Sequence, residues 1–146
     1  MLKEYEKYHG VVLRALVAKS REPISIGVDD LHGRINGYVV NSLIGLYIKH
    51  SSKRLTPWSF TFNDEHLSEL EYLNGKYKVF VVFVCGIDGI ACIPYQRVLE
   101  IGQPTSTGQL YIGIARSRSE MYGVYGAKQS LSRKVAVGVR EILDEL

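Results

Sequence analysis

The residues best suited to chemistry in this sequence are the closely spaced cations Lys49, Lys53 and Arg54. They are three of the four fixed positive charges in residues 31–63, a run of 33 residues without Asp or Glu in a chain that has 15 acids in 146 residues. Arg binds phosphate through two parallel hydrogen bonds, and Lys binds it as a mobile point charge. The cluster therefore predicts an anion-binding surface, to which nearby hydroxyls add neutral donors: Ser51, Ser52 and Thr56.

Trp58 and a second group of cations extend this prediction to nucleic acid. An exposed Trp58 ring would offer a face on which a base stacks, a contact worth roughly 1–3 kcal/mol in proteins that bind single strands. Arg116 and Arg118 belong to a second basic group, together with Lys128, Arg133 and Lys134. This group strengthens the prediction only if folding brings it close to Lys53 and Arg54. The alternative is that Lys53 and Arg54 cap a solvated hairpin and that Trp58 is a core or edge aromatic.

The helices that must position these residues are indicated by hydrophobic spacing and by caps. Apolar residues three and four apart predict an N-terminal helix over residues 2–18. Asn63 is a favourable N-cap, and it predicts a mid-chain helix over residues 63–74. A short helix is expected to begin at Pro94 and to end before Gly102.

The strands are indicated by alternation and by turn residues. Residues 79–85 are apolar throughout, which is typical of a strand covered on both faces. Asn41-Ser42 and Asp88-Gly89 are expected to form tight turns. The other predicted strands are residues 24–28, 38–40, 44–48, 59–62, 90–93 and 110–115. Together these elements predict an α/β (α+β) fold with a mixed central sheet.

Two interpretations of the C-terminal segment stay open. Residues 121–126 and 131–137 suit a hairpin, followed by a short C-terminal helix at 139–146. A single helix over residues 130–146 also fits, because its apolar residues recur with a helical period. No internal repeat or linker is evident, and the length suits a single domain over residues 1–146.

The order of elements up to residue 85 resembles a known nuclease core. A helix leads to a β-meander, to a strand ending in Leu46-Tyr47-Ile48-Lys49-His50-Ser51-Ser52, to a basic loop, a helix and a buried strand. This order resembles the core of the PD-(D/E)XK restriction-endonuclease-like superfamily, with closest similarity to archaeal Holliday-junction resolvases. The resemblance implies a DNA- or RNA-binding protein that cleaves phosphodiesters with Mg²⁺.

The resemblance assigns catalytic positions to Lys49 and to Asp30, with Asp29 as the other available first acid. The family's acid-x-Lys motif has Tyr47 at its acid position here, and a tyrosine does not supply the carboxylate that Mg²⁺ prefers. A replacement carboxylate would come from the helices, at Glu65, Glu69 or Glu6. The strings at residues 45–51 and 57–62 also resemble a small bacterial or phage family, which implies no activity.

Two cysteines and four histidines offer fewer possibilities. A two-residue loop at Asp88-Gly89 would place Cys85 opposite Cys92, within disulfide range. Two small buried residues of a β core are the alternative. His50, beside Lys49, is a candidate proton-transfer group.

Composition and termini restrict the class of protein. The first residues do not resemble a signal peptide, the longest apolar run is far shorter than a membrane span, and the net charge is only +3. These features predict a cytoplasmic protein without a membrane partner. A non-enzymatic interaction module, forming a homodimer through a sheet edge or through residues 111–125, is the alternative to the nucleic-acid hypothesis.

Overall fold

A computed structural model describes residues 1–29, 37–104, 106 and 108–146 of the chain. Among these residues, four helices and eight strands form a mixed α and β fold, which confirms the predicted class. The helices are α1 (Glu4–Lys19), α2 (Asp64–Asn74), α3 (Tyr95–Ile101) and α4 (Arg140–Leu143). The strands are β1 (Ile26–Gly27), β2 (Gly37–Val40), β3 (Ile44–Ser51), β4 (Trp58–Phe62), β5 (Lys78–Cys85), β6 (Gly89–Pro94), β7 (Leu110–Ala115) and β8 (Gly123–Gly126).

The larger sheet is five-stranded, in the order β1-β2-β3-β5-β6. Its one parallel pair, β3 and β5, lies in the interior, and the other neighbours are antiparallel. The parallel pair requires a crossover, and α2 lies in the connection between the two strands. The expected mixed central sheet is therefore present. β3 continues to Ser51, three residues beyond its predicted end, so that Lys49 and His50 are strand residues.

The smaller sheet, in the order β4-β7-β8, was not anticipated from the sequence. β4 follows β3 closely in the chain, yet it pairs antiparallel with β7, from Trp58 opposite Ile114 to Phe62 opposite Leu110. Its alternating burial gives one face to the core and the other to solvent. Spacing predicts that a strand exists, but the partner of a strand depends on contacts distant in the sequence.

The larger sheet separates two hydrophobic cores, because successive strand residues point to opposite faces. One face packs against α1 and α4 through buried residues that include Leu16, Leu46 and Ile142. The other face packs against the smaller sheet, α2 and α3, through residues that include Tyr47, Phe83 and Trp58. β5 is buried on both faces, as its apolar run predicts.

The C-terminal segment is an irregular hairpin followed by a short helix, and the single-helix alternative is wrong. Tyr122 and Val135 exchange two backbone hydrogen bonds, at 2.8 and 2.7 Å, and Ser130 bridges Tyr125. α4 then begins at Arg140. Pairing with β8 therefore prevails over the helical period of this segment.

The loop between β5 and β6 excludes the predicted pairing of the cysteines. Cys85 lies opposite Gly89, which leaves a three-residue loop at residues 86–88 in place of the expected two-residue turn. Cys92 consequently lies opposite Val82. The two cysteines point into different cores and are free thiols.

No helix among the described residues is long and apolar enough to cross a membrane.

Candidate functional site

The predicted basic segment lies beyond the carboxyl ends of the parallel strands β3 and β5. We call residues 52–57 the basic loop; it connects β3 to β4 and carries Lys53 and Arg54. Its neighbours are the loop at residues 86–88, which follows β5, and residues 116–120, which follow β7. In open sheets with parallel strands, ligands bind beyond the carboxyl ends of the strands.

Hydrogen bonds from the surrounding elements hold the basic loop in place. The Trp58 indole N–H donates to the Lys53 carbonyl at 2.8 Å, and the Arg116 backbone N–H donates to Thr56 Oγ1 at 3.0 Å. The Gly86 N–H donates to the Ser51 carbonyl, at the end of β3, at 2.9 Å. The fold therefore holds both ends of the loop.

Lys53 and Arg54 themselves extend into solvent from this fixed loop. Arg118, on the segment that follows β7, is also exposed. In the part of the chain that the structure describes, no ion pair involves any of these three side chains. Lys53 and Arg54 therefore lie at the same end of the smaller sheet as Arg116 and Arg118.

Trp58 does not have the predicted stacking role. Its side chain is 2% exposed and packs edge-to-face against Tyr122, with the ring centroids 6.1 Å apart. A buried indole offers no free face to a base. Its N–H instead fixes the Lys53 carbonyl, so that Trp58 positions the basic loop from within the core, in agreement with the core alternative.

Arg116 is also engaged within the protein. Its Nε and Nη2 atoms donate to the two carboxylate oxygens of Asp88 at 2.9 and 2.8 Å, and Nη1 donates to the Glu120 carbonyl. The Tyr122 hydroxyl donates to Asp88 as well, at 2.7 Å. Hydrogen bonds from Arg116 and Tyr122 hold the pKa of Asp88 below its usual value. Arg116 thus forms a bidentate ion pair that joins two loops, and its contact with phosphate stays a prediction.

Lys49 lies on the β3 face that points towards the smaller sheet, in a half-buried position. Its Nζ donates to the Thr61 carbonyl at 2.8 Å, lies 3.4 Å from His66 Nδ1 and lies 5.0 Å from the centroid of the Phe62 ring. Burial lowers the pKa of Lys49 to about 8, because desolvation disfavours the charged amine. The amine is therefore a group that changes charge near neutral pH.

A carboxylate from α2 does approach this cluster, as the replacement hypothesis requires. Tyr47 is 1% exposed, and its hydroxyl donates to Glu69 Oε1 at 2.7 Å. The negative charge of Glu69 raises the pKa of Lys49 and partly opposes the effect of burial. Tyr47, Lys49 and Glu69 thus form one polar cluster between β3 and α2.

His66 joins this cluster through the cap of α2. Asn63 caps the helix by accepting from the His66 backbone N–H at 2.9 Å, and the Asn63 N–H donates back to His66 Nδ1 at 3.2 Å. Because Nδ1 accepts this hydrogen bond, the ring proton is assigned to Nε2. A histidine at the third helical position was not anticipated in the Lys49 cluster, although its spacing from Asn63 is that of a capping box.

Of the two candidates for the first acid of the nuclease motif, Asp30 lies outside the described residues, and Asp29 is bound at the far end of α2 from Lys49. The Asp29 carboxylate accepts from the hydroxyls of Tyr72 and Tyr77, at 3.1 and 2.8 Å, and from Lys76 at 3.0 Å. These donors lie at the C-terminal end of α2, about 9 Å or more along the helix from His66.

The Mg²⁺ site expected from the resemblance stays a prediction. Within residues 1–29, 37–104, 106 and 108–146, no group of three or more His, Cys, Asp or Glu side chains is placed to hold a metal ion. Glu69, which accepts from Tyr47 and approaches Lys49, is a carboxylate that would serve as one ligand of such an ion.

His50 points to the opposite face of β3 from Lys49. Its ring stacks on Tyr8 of α1, with the centroids 4.4 Å apart and the planes 11° apart. Burial lowers the pKa of His50 below its usual value. His50, the candidate proton-transfer group, therefore lies in a different environment from Lys49, although the two residues are adjacent in sequence.

Comparisons of this chain with protein-family models, with curated proteins and with solved structures gave no match.

Proposed function

We propose that this protein binds the phosphate backbone of a nucleic acid through Lys53 and Arg54 of the basic loop, together with Arg118. All three side chains are exposed. Lys53 and Arg54 are adjacent in sequence, and Arg118 lies at the same end of the smaller sheet. Among the described residues, none of the three has an acidic partner. Such cations bind backbone phosphates without regard to sequence and release counterions when they do so.

The hydrogen bonds that hold the basic loop in place are the observation that carries the proposal. Binding to a flexible loop requires that its backbone be ordered, which reduces affinity. Here the Trp58 indole fixes the Lys53 carbonyl and the Arg116 backbone N–H holds the Thr56 side chain, while the Lys53 and Arg54 side chains stay free. The loop therefore presents its cations to an anion at a low cost in backbone entropy.

Two acids near the basic loop, Asp88 and Glu120, are already paired with cations of the protein. Asp88 would repel a phosphate that approached the basic loop, but its charge is matched by the bidentate contact with Arg116. Glu120, on the adjacent segment, is paired with Lys134. The positive electrostatic potential of Lys53, Arg54 and Arg118 is consequently little reduced by these two acids, although the net charge of the chain is only +3.

A charge-reversal experiment tests the proposal. Lys53→Glu/Arg54→Glu is expected to weaken binding of a fluorescent oligonucleotide about tenfold or more at low salt, and to reduce the salt dependence of log Kd by about two. The measurement is fluorescence anisotropy over a series of salt concentrations.

The matched control is Arg14→Glu/Arg97→Glu, which makes the same change in net charge. Arg14 is exposed on α1, and Arg97 is exposed on α3, which follows the far end of β6. This control is expected to lose little affinity. Equal loss in the two double variants would reject the basic loop as the binding site, and absence of wild-type binding would reject the function.

Cleavage is a separate proposal, which rests on the resemblance to the endonuclease-like core. The order from α1 to β5, with Lys49 near the end of β3, supports it. If the protein is a nuclease that uses Mg²⁺, wild type cleaves a labelled substrate with added Mg²⁺ or Mn²⁺, and Lys49→Met reduces the rate by at least about 100-fold. Equal rates in wild type and Lys49→Met, or no cleavage by a wild type that binds, would reject this role.

A further inference from the structure

The outer face of the smaller sheet is an exposed surface that the basic loop does not use. The inner residues of β4 are buried in the core, whereas Ser59 and Thr61 on the other face are exposed. Beside them on β7 and β8 lie Tyr111 and Tyr125, which are half-buried. None of these four residues belongs to either hydrophobic core, so the face is not covered by the core packing of the described residues.

Two tyrosine rings form an aromatic pair on this face. Their centroids lie 6.4 Å apart, and their planes are inclined by 52°. The Ser59 and Tyr111 hydroxyls lie 3.3 Å apart, within hydrogen-bonding distance. Tyr111 is thereby held in place at one side of the pair.

Gly113 is what allows the Tyr125 ring to lie against the sheet. The two residues are cross-strand partners, and a Cβ atom at position 113 would lie only 2.2 Å from Tyr125 Cε2 and 2.3 Å from Cζ. The ring thus occupies the space of the missing side chain and covers the buried Gly113. Contact with Gly113 and with the Tyr111 ring accounts for the half-burial of Tyr125, and the rest of its side chain is accessible to solvent.

The aromatic pair is close to the basic end of the sheet. Gly113 is two residues from Ala115, the last residue of β7, which corresponds to about 7 Å of strand. The next residue, Arg116, contacts Thr56 of the basic loop, and Arg118 follows. The cations therefore lie at one end of the sheet whose outer face carries the tyrosine rings and hydroxyls.

We propose that this outer face binds single-stranded nucleic acid, with bases stacked on Tyr125 and Tyr111 and phosphates held by Lys53, Arg54 and Arg118. The inference rests on the proposed function and specifies its substrate class. Unpaired bases expose the ring faces that stacking needs, whereas the bases of a duplex are stacked on one another. Tyrosines flanked by hydroxyls and cations are complementary to an anionic, aromatic strand.

The proposal also replaces the aromatic partner expected from the sequence. Trp58 belongs to the same sheet, but it points into the core. Bases therefore stack on the tyrosines of the outer face and not on Trp58. Base–aromatic stacking tolerates any sequence, because every base has a flat face. Binding is therefore expected to show little sequence preference.

The experiment compares three ligands and three variants by anisotropy at constant salt. The ligands are an oligothymidylate of about 16 nucleotides, an abasic phosphodiester strand of equal length and charge, and a duplex. Wild type is expected to bind the oligothymidylate at least about fivefold more tightly than the abasic strand. Tyr125→Leu and Tyr111→Leu should each lose about fivefold or more on oligothymidylate and little on the abasic strand, whereas Tyr125→Phe, which keeps the ring, should bind like wild type.

Each outcome supports or rejects a specific statement. Equal affinity of wild type for the oligothymidylate and the abasic strand, or tighter binding of the duplex, overturns the single-strand proposal and leaves phosphate binding standing. Leucine variants that bind like wild type but change the molecular mass in solution would assign this face to a second copy of the chain and also overturn it. If wild type binds no ligand, the proposed function itself fails; the ligand comparison on wild type holds even if a leucine variant does not fold.

Discussion

At the scale of single residues, the most unusual group is Lys49, whose amine lies among Thr61, Phe62 and His66 and close to Glu69. A surface lysine stays charged far above neutral pH, but burial lowers the pKa of this one to about 8. The acid-x-Lys comparison singled out Lys49 by sequence position. Its environment instead depends on the contact between β3 and α2, which brings Glu69 and the helix cap to the strand.

We predict that the Lys49 amine titrates near pH 8 in the folded protein, in contrast to the usual lysine value of 10.5. Removal of the nearby charge by Glu69→Gln should lower this pKa further, because the Glu69 carboxylate stabilises the charged amine. NMR titration of reductively methylated lysine side chains measures both values. An unchanged or raised Lys49 pKa in Glu69→Gln would contradict the assignment.

The same shift predicts a pH dependence of stability. Between about pH 8 and 10.5 the folded protein binds fewer protons at Lys49 than the unfolded chain, so that the contribution of this group to the free energy of unfolding rises with pH. Below about pH 8 the full penalty for burying the charge is present. Lys49→Met should therefore be more stable relative to wild type at about pH 7 than at about pH 10, as measured by urea unfolding.

At the scale of elements, the basic loop is shaped by the neighbouring loop at residues 86–88. Gly86 has a positive φ of 56°, and a Cβ atom there would lie 2.2 Å from the Lys53 carbonyl oxygen. Only glycine combines this backbone conformation with such a close approach. The turn after β5 and the loop after β3 are thus fitted to one another, although they are distant in the sequence.

Gly86→Ala is predicted to destabilise the protein by about 1–3 kcal/mol, because the new methyl group must displace the basic loop. It should also weaken nucleic-acid binding by moving Lys53 and Arg54. The matched control is Gly10→Ala in α1, where nothing lies within 4 Å of the added Cβ; this change should stabilise the protein by about 0.5–1 kcal/mol. Thermal unfolding measures both, and equal effects of the two substitutions would contradict the fitted-loop explanation.

At the scale of the whole molecule, the two hydrophobic cores on either side of the larger sheet each contain one cysteine. Cys85 belongs to the core shared with the smaller sheet, and Cys92 belongs to the core beneath α1 and α4. Burial raises the pKa of Cys85 to about 12 and raises that of Cys92 as well. Neither thiol is therefore reactive in the folded state, since the thiolate is the reactive form.

We predict that a thiol-specific reagent such as iodoacetamide modifies neither cysteine of the native protein but modifies both in urea. The rates of the two reactions then report the opening of the two cores separately, because the cysteines lie in different cores. Mass spectrometry of peptides containing Cys85 or Cys92 measures them. Rapid labelling of either thiol in the native state, or an oxidant-induced link between the two, would contradict the arrangement.

The sequence by itself determined the mixed fold class, most of the local elements and the location of the cation cluster. Asn63 caps α2, and the uniformly apolar run at residues 79–85 predicts the doubly buried β5, because caps and side-chain periodicity act within a few residues. Lys53 and Arg54 are exposed, as the predicted surface requires, because short polar connections between strands lie in solvent.

Only the tertiary structure decided which side chains meet. β4 pairs with β7 across nearly fifty residues, and this pairing turns Trp58 into the core and leaves Tyr111 beside Ser59. The choice of strand partner and of sheet face depends on burial summed over the whole chain, which no local pattern contains. For the same reason Arg116, a candidate phosphate ligand by residue type, is bound to Asp88, whereas the tyrosines of the outer face remain available.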